Sequence, residues 1–249
     1  MKIKKINARL SDVYIVKNFS GVIKQMKQDN EWVRGGVVIA NCKQRIKNSV
    51  LANKLFPDFF PEIIPLSNDT YLRSFINSMT LEENPKKLES VIEKLFALNK
   101  AGIKKLKNKK GVKINPCGEL WKTGYDLFGK SLGAKECSAA LTYNMGDAKD
   151  SNLLSDSNYI TFDSEGFGIG DISTDIISLI EGYQYSRKKQ LFVKTLDMAE
   201  KKYSRIDNDI IEKSLLGLVG IRAMEASAEN RSKKFLKEAI EFFKKFKRV

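Results

Sequence analysis

The residues with the clearest chemical potential are seven acidic side chains within the short stretch 144–176. Lys149 is the single base there, so this acidic segment carries a net charge of −6 in a chain whose net charge is +14. Crowded carboxylates repel one another, and a bound hard cation such as Mg²⁺ is a common reason for keeping them together. We therefore interpret the segment as a site for a metal ion and the phosphates that accompany it. The acids are Asp147, Asp150, Asp156, Asp163, Glu165, Asp171 and Asp175.

The order of residues inside the acidic segment is more informative than its charge. Asp147 and Asn152 are five residues apart with Lys149 between them, and a β-type run over 159–162 leads into Asp163. Phosphoryl transfer needs metal ions that bridge the phosphates, a cation near the moving group, and a carboxylate that orients the attacking hydroxyl. The segment contains residues of all three kinds, so it predicts this chemistry.

The amino-acid composition excludes several kinds of catalytic and metal-binding site. The chain has 249 residues and no histidine, which excludes Ser-His-Asp and Cys-His catalysis and histidine-bound zinc. Its three cysteines, Cys42, Cys117 and Cys137, are widely spaced and predict neither a disulfide framework nor a thiolate zinc site. No apolar run reaches the ~20 residues of a membrane span, so a cytoplasmic location is expected. The positive charge suggests an anionic partner, including nucleic acid on a basic surface, but a lysine-rich genome produces the same composition.

Periodicity predicts a β-rich front and a helical back, which is an α+β chain. Residues 1–83 contain strand-like runs at 13–17, 37–40 and 71–76 and one helix over 43–56. The last helix is basic and amphipathic, and we expect it to pack on the core rather than on a membrane. A lysine-rich loop is predicted over 100–113. The remaining predicted helices cover 84–102, with Asn84 as the N-cap and Gly102 as the end, 119–132, 176–185, 191–203, 209–228 and 232–247.

At this point the chain resembles the protein-kinase-like superfamily. Gly146-Asp147 with Asn152 is similar to the G-D-x-x-x-x-N loop of aminoglycoside phosphotransferases, and the residues from Asp163 to Asp175 are similar to their D-F-E-x-x-G-I-G-D-x-x-x-D segment. Choline phosphotransferases and small RIO-type and archaeal kinases belong to the same superfamily.

The resemblance implies a bilobal protein-kinase-like fold. The expected N-lobe is small and β-rich and covers residues 1–76, with a hinge at about 72–77. The expected C-lobe, 77–249, is larger and helical and carries the catalytic and metal-binding loops.

The resemblance also implies roles for single residues. Asp147 would orient the acceptor hydroxyl, and Lys149 would neutralise the moving phosphoryl group. Asn152 and Asp163 would bind Mg²⁺ or Mn²⁺. Asp175 would begin a buried helix and brace the catalytic loop through backbone hydrogen bonds.

ATP-binding residues are expected in the N-lobe. Tyr14-Ile15-Val16-Lys17 resembles the V-A-I-K strand of kinases, which makes Lys17 the candidate for pairing with the α- and β-phosphates. Lys43 is the second candidate. Arg73 and Phe75 lie where the adenine-binding hinge is expected.

Three features depart from the pattern of the superfamily. Met145 occupies the position of a histidine, and no glycine-rich loop precedes Lys17. The glutamate expected on the N-lobe helix falls on Asn48 or Ser49. The nucleotide lysine would therefore need another carboxylate or a direct contact with Asp163.

The main functional expectation is an ATP- and Mg-dependent phosphotransferase that resembles Ser/Thr protein kinases, because a lysine at position 149 is typical of that group. A small-molecule kinase of the aminoglycoside or choline type is the alternative, and it should show a deep acceptor pocket lined by the last helices. A third hypothesis is a pseudokinase or nucleotide-binding module in a nucleic-acid-modifying assembly, since a fold can persist without its chemistry.

Overall fold

A computed structural model of the chain describes residues 3–7, 11–16, 21–27, 32–34, 37–116, 118–228 and 233–246. Within these ranges the order of elements is β-rich first and helical afterwards, as predicted. The described part of the front contains an antiparallel sheet of five strands: β1 (Ile3–Asn7), β2 (Ser11–Val16), β3 (Gly21–Met26), β6 (Ile63–Pro65) and β7 (Thr70–Ser74). Their order in the sheet is β1-β2-β3-β7-β6.

A strand pair and one helix complete the front half. The pair is β4 (Trp32–Arg34) with β5 (Val37–Ala40), and it leads into α1 (Cys42–Leu55). The side chain of Asn41 caps α1 by accepting a hydrogen bond from the backbone nitrogen of Gln44 at 3.0 Å. A small apolar core between α1 and the sheet consists of Met26, Ile46, Ile63 and Tyr71.

In the described part of the back half, six α-helices surround a two-stranded ribbon. The ribbon pairs β8 (Leu141–Asn144) with β9 (Gly168–Asp171) in antiparallel fashion. One continuous apolar core joins the ribbon to the surrounding helices. The helices are α2 (Leu88–Leu106), α3 (Leu120–Leu132), α4 (Thr174–Tyr185), α5 (Lys189–Tyr203), α6 (Ile210–Ala228) and α7 (Lys233–Phe246).

One local prediction about α2 is wrong, and another is confirmed only in part. Gly102 does not end the helix, which continues to Leu106. A Cβ at position 102 would lie 2.4 Å from Oγ1 of Thr142. This glycine permits β8 to approach α2 closely, so the first lysines of the predicted loop are helical. Asn84 precedes a single 3₁₀ turn, Pro85–Lys87, and its side chain makes no capping hydrogen bond.

The run 159–162 was predicted as a strand, and it is a loop in the structure. Its β-type contact is a single bridge between Thr161 and Leu153. Apolar and β-branched residues favour a strand only where a neighbouring strand is available for pairing, and the loop geometry here prevails over that propensity.

The last helix packs on the core as expected. Ala239 and Phe243 of α7 are buried, and Phe242 stacks on Phe192 of α5 with ring centroids 4.4 Å apart. Among the residues that the structure describes, none of the helices combines the length and apolar character of a membrane span.

Candidate functional site

The β8–β9 ribbon positions both polar loops of the acidic segment. Asn144 at the end of β8 pairs with Gly168 at the start of β9. The first loop, 145–152, therefore leaves the ribbon where the second loop, 163–167, returns to it. Gly146 has a φ of +78°, and a Cβ there would lie 2.1 Å from the carbonyl oxygen of Gly166. The two loops thus touch backbone to backbone.

Asp175, buried in the first turn of α4, holds the start of the first loop. Its Oδ1 accepts hydrogen bonds from the backbone nitrogens of Met145 and Gly146, both at 3.0 Å. The buried side chain of Met145 fills space, while its backbone makes the contact. Backbone donors compensate the burial of the Asp175 carboxylate, so it can fix the loop rigidly.

Asp147 and Asn152 lie side by side within the first loop. Nδ2 of Asn152 donates to Oδ2 of Asp147 at 3.1 Å and to its carbonyl oxygen at 3.2 Å. The amide oxygen of Asn152 makes no hydrogen bond to any described residue, which leaves it available for a cation. Nζ of Lys149 lies 3.6 Å from Oδ1 of Asp147, and its side chain is 41% exposed.

Thr161 connects this pair to Asp163 at the start of the second loop. Its hydroxyl donates to the carbonyl oxygen of Asn152 at 2.8 Å and accepts from the backbone nitrogen of Asp163 at 2.9 Å. Asp147, Asn152 and Asp163 are therefore members of one chain of hydrogen bonds.

Two carboxylates and one amide oxygen form a donor set that fits Mg²⁺ or Mn²⁺. The described residues contain no preassembled cluster of three or more acidic, cysteine or histidine side chains suited to a metal. A metal ion at Asp163 and Asn152 would accordingly depend on phosphate oxygens and water for its remaining ligands, which is usual for Mg²⁺.

Lys24 is the residue of this site that the sequence analysis missed. It lies on the buried face of β3 with Val22 and Met26, because alternate residues of a strand share a face. Its Nζ is 2.8 Å from Oδ2 of Asp163 and 2.7 Å from Oε1 of Glu165.

Both members of the Lys24–Asp163 pair have shifted pKa values. Burial alone lowers the pKa of Lys24, but Asp163 and Glu165 together raise it above its usual value. Burial alone raises the pKa of Asp163, and the charge of Lys24 lowers it below its usual value. The pair is therefore ionised at neutral pH.

Lys17 lies outside the described residues, so its role stays a prediction. Lys43 is exposed in the first turn of α1. Val22-Ile23-Lys24 matches the V-A-I-K pattern as well as the run ending at Lys17 does, and that signal could have found Lys24. A strand pattern alone does not tell which of two lysines faces the acids.

Helix α1 contributes a cation to the site instead of a glutamate. Nε of Arg45 donates to Oε2 of Glu165 at 2.8 Å, and Nη2 of Arg45 contacts the same oxygen. Nδ2 of Asn48 donates to the backbone oxygen of Glu165 at 2.9 Å. Tyr71 of β7 donates its hydroxyl to Oε1 of Glu165 at 3.1 Å.

The predicted adenine-binding residues lie at the end of β7. The guanidinium of Arg73 lies 5.4 Å from the ring centroid of Phe162, just before the second loop, and Nη1 donates to the backbone oxygen of Ser74 at 3.1 Å. Phe75 follows the strand and is 44% exposed. Arg73 thus lies close to the start of the second loop. Contact of Arg73 or Phe75 with adenine stays a prediction.

Not every carboxylate of the acidic segment is available for a metal ion. Several of its acids are paired with bases that are distant in sequence. Asp150 binds Lys188 at 2.8 Å, and buried Asp171 binds buried Lys213 at 2.9 Å. Ion pairing with these bases relieves part of the repulsion within the segment.

A cavity of about 430 Å³ lies among the last helices. Arg187 in the turn between α4 and α5 and Lys189 at the start of α5 contribute to its wall. Lys188 in the same turn is the partner of Asp150, so this wall is ion-paired to the first loop. One amide, three aromatic side chains and charged residues of both signs complete the lining: Gln184, Tyr183, Phe192, Phe242, Lys234, Glu238, Glu241 and Lys245.

Comparison with known proteins shows the fold. No protein-family model and no curated protein sequence matches the chain. Among solved structures, it is similar to a choline kinase from Cryptosporidium parvum (TM-score 0.58, 12% identity, 99% of this chain and 89% of that one). It is also similar to a Plasmodium vivax ethanolamine kinase (TM-score 0.60, 12% identity, 96% and 81%).

A third similar structure is a thermostable mutant of aminoglycoside phosphotransferase APH(4)-Ia in a ternary complex with AMP-PNP and hygromycin B (TM-score 0.59, 13% identity, 96% and 90%). At such low identity these similarities establish the fold alone. The chain has the α+β, bilobal protein-kinase-like fold that the motifs predicted. These three proteins are named as kinases or phosphotransferases of small molecules, so they give no support to the expectation of a Ser/Thr protein kinase.

Proposed function

We propose that the protein is an ATP- and Mg-dependent phosphotransferase that acts on a hydroxyl group of a small molecule. The observation that carries the proposal is the hydrogen-bonded chain joining Asp147, Asn152 and Asp163, with Lys24 in contact with Asp163. The expectation of a protein substrate depended on Lys149 alone, and the small-molecule alternative agrees better with the similar folds.

Each residue of the site has a separate role in the proposed phosphoryl transfer. Asp147 orients the acceptor hydroxyl, and Lys149 lies beside it to neutralise the moving phosphoryl group. Asn152 and Asp163 supply the oxygen ligands for the metal. Bound Mg²⁺ supplies the charge that neutralises the β- and γ-phosphates. Lys24 is better supported than Lys17 as the partner of the α- and β-phosphates, because it already contacts Asp163.

The lobe boundary proposed from the sequence is compatible with the elements. Strand β7 ends at Ser74, and the backbone nitrogen of Leu81 donates to the oxygen of Leu153 at 2.7 Å. We therefore keep residues 1–76 as the N-lobe and 77–249 as the C-lobe, with the hinge at about 72–77. Arg73 and Phe75 would then border the adenine.

The cavity among the last helices is our candidate for the acceptor pocket. Its volume of about 430 Å³ lies within the range of roughly 300–1,000 Å³ that is usual for small-molecule sites. Its aromatic walls and charges of both signs suit a compound with an apolar body and polar substituents. The Lys188–Asp150 pair joins its wall to the loop that carries Asp147.

Nucleotide binding without transfer is the second candidate function. It is favoured by Met145 at the histidine position and by the direct Lys24–Asp163 ion pair, which engages the proposed metal ligand. ATP turnover distinguishes the two candidates.

The test is an ADP-release assay with Mg²⁺ or Mn²⁺ and a panel of acceptors that includes choline, ethanolamine, aminoglycosides and a Ser/Thr peptide. We expect turnover with a small-molecule acceptor and a loss in kcat of about 10²–10⁴-fold in Asp147→Asn. Asp163→Asn should abolish turnover. The control is Asp126→Asn, which removes an exposed acid on α3 that is paired with Lys122 at 3.6 Å.

Three results would contradict parts of the proposal. Equal turnover in Asp163→Asn and wild type would show that Asp163 is not a ligand of a catalytic metal ion. Transfer to the peptide alone would restore the protein-kinase hypothesis. Nucleotide binding without turnover on any acceptor would favour the binding module.

A further inference from the structure

Cations and hydrogen-bond donors occupy both carboxylate oxygens of Glu165. Oε1 accepts a hydrogen bond from the hydroxyl of Tyr71 at 3.1 Å and lies 2.7 Å from Nζ of Lys24 in an ion pair. Oε2 accepts from both Nε and Nη2 of Arg45. A carboxylate has about four lone-pair positions, so a metal ion could bind Glu165 only by displacing one of these donors. Although it lies two residues after Asp163, Glu165 is thus not arranged as a metal ligand.

The arrangement reverses the charges that protein kinases use at this position. In those enzymes the strand lysine is held by a glutamate from the N-lobe helix. Here the helix α1 provides Arg45, and the carboxylate that holds Lys24 comes from the second loop. The two cations and the two anions, Lys24, Arg45, Asp163 and Glu165, balance each other.

We propose that Glu165 is the positioning residue for Lys24 and that Arg45 fixes Glu165, so that α1 controls the nucleotide lysine through a cation. This inference depends on the proposed function, because it assigns Lys24 to the nucleotide phosphates.

Glu165 holds Lys24 with or without a metal, and its share of the attraction grows when Asp163 also binds a divalent ion. A carboxylate that binds a divalent metal attracts a neighbouring ammonium group less strongly, because the metal's charge opposes that attraction. Glu165 remains as an anionic partner that keeps Lys24 extended towards the phosphates.

Arg45 limits the strength with which Glu165 holds Lys24. Without the guanidinium, the buried charge of Glu165 would be compensated by Lys24 alone. Lys24 would then bind the carboxylates at the expense of the phosphates. Loss of Glu165 should weaken nucleotide binding because Lys24 is no longer held towards the phosphates. Loss of Arg45 should weaken it because the carboxylates then hold Lys24 too strongly.

The test compares Glu165→Gln and Arg45→Gln with wild type by calorimetric titration with AMP-PNP, with and without Mg²⁺. We expect the Kd to rise about tenfold in both variants, also in the absence of Mg²⁺, because Lys24 contacts the phosphates directly. The KM for ATP should rise while the KM for the acceptor is unchanged.

Asp207→Asn is the matched structural control. It disrupts the buried ion pair between Asp207 and Lys213, 2.7 Å long, which belongs to the helical back half. This variant should lower Tm as the other two do, but it should leave the Kd of AMP-PNP unchanged.

The outcomes separate the inference from the proposed function. A Kd that is unchanged in Glu165→Gln despite a lower Tm would make its role purely structural and overturn the inference. A loss confined to titrations with Mg²⁺ would make Glu165 a metal ligand and overturn it as well. If wild type bound no nucleotide, the proposed function would fail together with the inference.

A second variant covers the case in which Glu165→Gln does not fold. Arg45→Lys keeps the charge but loses the two-pronged contact of the guanidinium. It should weaken metal-free AMP-PNP binding severalfold, and wild-type affinity in this variant would overturn the role of Arg45.

Discussion

Single residues of the site fall into two groups according to their hydrogen bonds. Asp175 and Glu165 are buried and bound by neighbouring donors, so they hold other groups in place. Asn152 is held through its nitrogen, which leaves its oxygen directed to other partners. Residues that position a site are thereby distinguished from those that can bind a ligand.

Gly146 offers a test of the contact between the two loops. Gly146→Ala would place a Cβ 2.1 Å from the oxygen of Gly166 at a φ of +78°, so we expect both strain and displacement of the first loop. Activity should be lost, and the free energy of unfolding should fall by about 1–3 kcal/mol or more. The two measurements are the ADP-release assay and urea unfolding.

Gly111→Ala is the control for the backbone conformation alone. Gly111 has a φ of +64°, but a Cβ there would meet no atom within 4 Å. This variant should lose about 1–2 kcal/mol of stability and keep full activity. If both variants were fully active, the close approach of the two loops would not matter for the site.

At the level of elements, glycines bring α3 and α6 into backbone contact. A Cβ at Gly124 would lie 1.9 Å from the oxygen of Leu216, and one at Gly220 would lie 2.7 Å from the nitrogen of Gly124. Helices that pack this closely exclude larger side chains from the contact. The pair of helices supports the core on which α4 and the first loop rest.

Gly124→Ala should force these helices apart. We expect a loss of about 1–3 kcal/mol or more in the free energy of unfolding, because the clash is with backbone that cannot rotate away. Gly182→Ala in α4 is the control, since its Cβ would lie 3.8 Å from Oδ1 of Asp150. That variant should be neutral or stabilised by up to about 1 kcal/mol, since alanine favours helices. Urea unfolding of both variants decides the question.

Lys213 joins α6 to β9, and its ion pairs should make the free energy of unfolding depend on pH. It is buried and lies 2.9 Å from Asp171 and 2.7 Å from Asp207. Burial alone lowers the pKa of Lys213, but the two carboxylates raise it above its usual value of 10.5. Its stabilising contribution is thus present below pH 10.5 and is lost as the pH rises through the folded pKa.

Lys213→Met should cost about 3–5 kcal/mol at pH 7, because two buried carboxylates lose their cation. The difference from wild type, measured by urea unfolding, should narrow above pH 10.5. A difference that stayed constant to pH 12 would show that the charge of Lys213 is not what stabilises this junction.

At the level of the whole molecule, the site lies where the β-rich front meets the helical back. Lys24 and Arg45 come from the front, whereas Asp163 and Glu165 come from the back. Ion pairs across this boundary connect the two halves, so a ligand that binds between them should stabilise the entire fold.

Nucleotide binding should therefore raise Tm. At a free ligand concentration of about 100 times Kd, Mg-ATP should add about 2.7 kcal/mol to the free energy of unfolding. In Asp163→Asn the part of the shift that depends on Mg²⁺ should disappear, while the exposed control Asp126→Asn should behave like wild type. A thermal-shift screen with ATP, with and without Mg²⁺, measures both, and an unchanged Tm in wild type would contradict nucleotide binding.

Much of the fold and part of the site could be predicted from the sequence, because the signals concerned are local. Helical periodicity identified the long helices to within a few residues, and the spacing of Asp147 and Asn152 identified the first loop. The errors at Gly102 and at 159–162 arose where packing or missing strand partners prevailed over local preference.

The sequence by itself determined which residue types are available for phosphate chemistry and which loop carries them, since these depend on neighbours along the chain. Only the tertiary structure decided that Lys24 faces Asp163, and that Glu165 is bound by Arg45 rather than left open for a metal. These partners are 139 and 120 residues apart, respectively. A contact over such a distance leaves no periodic trace in the sequence, because it depends on how β3 and α1 are placed against the second loop in the folded chain.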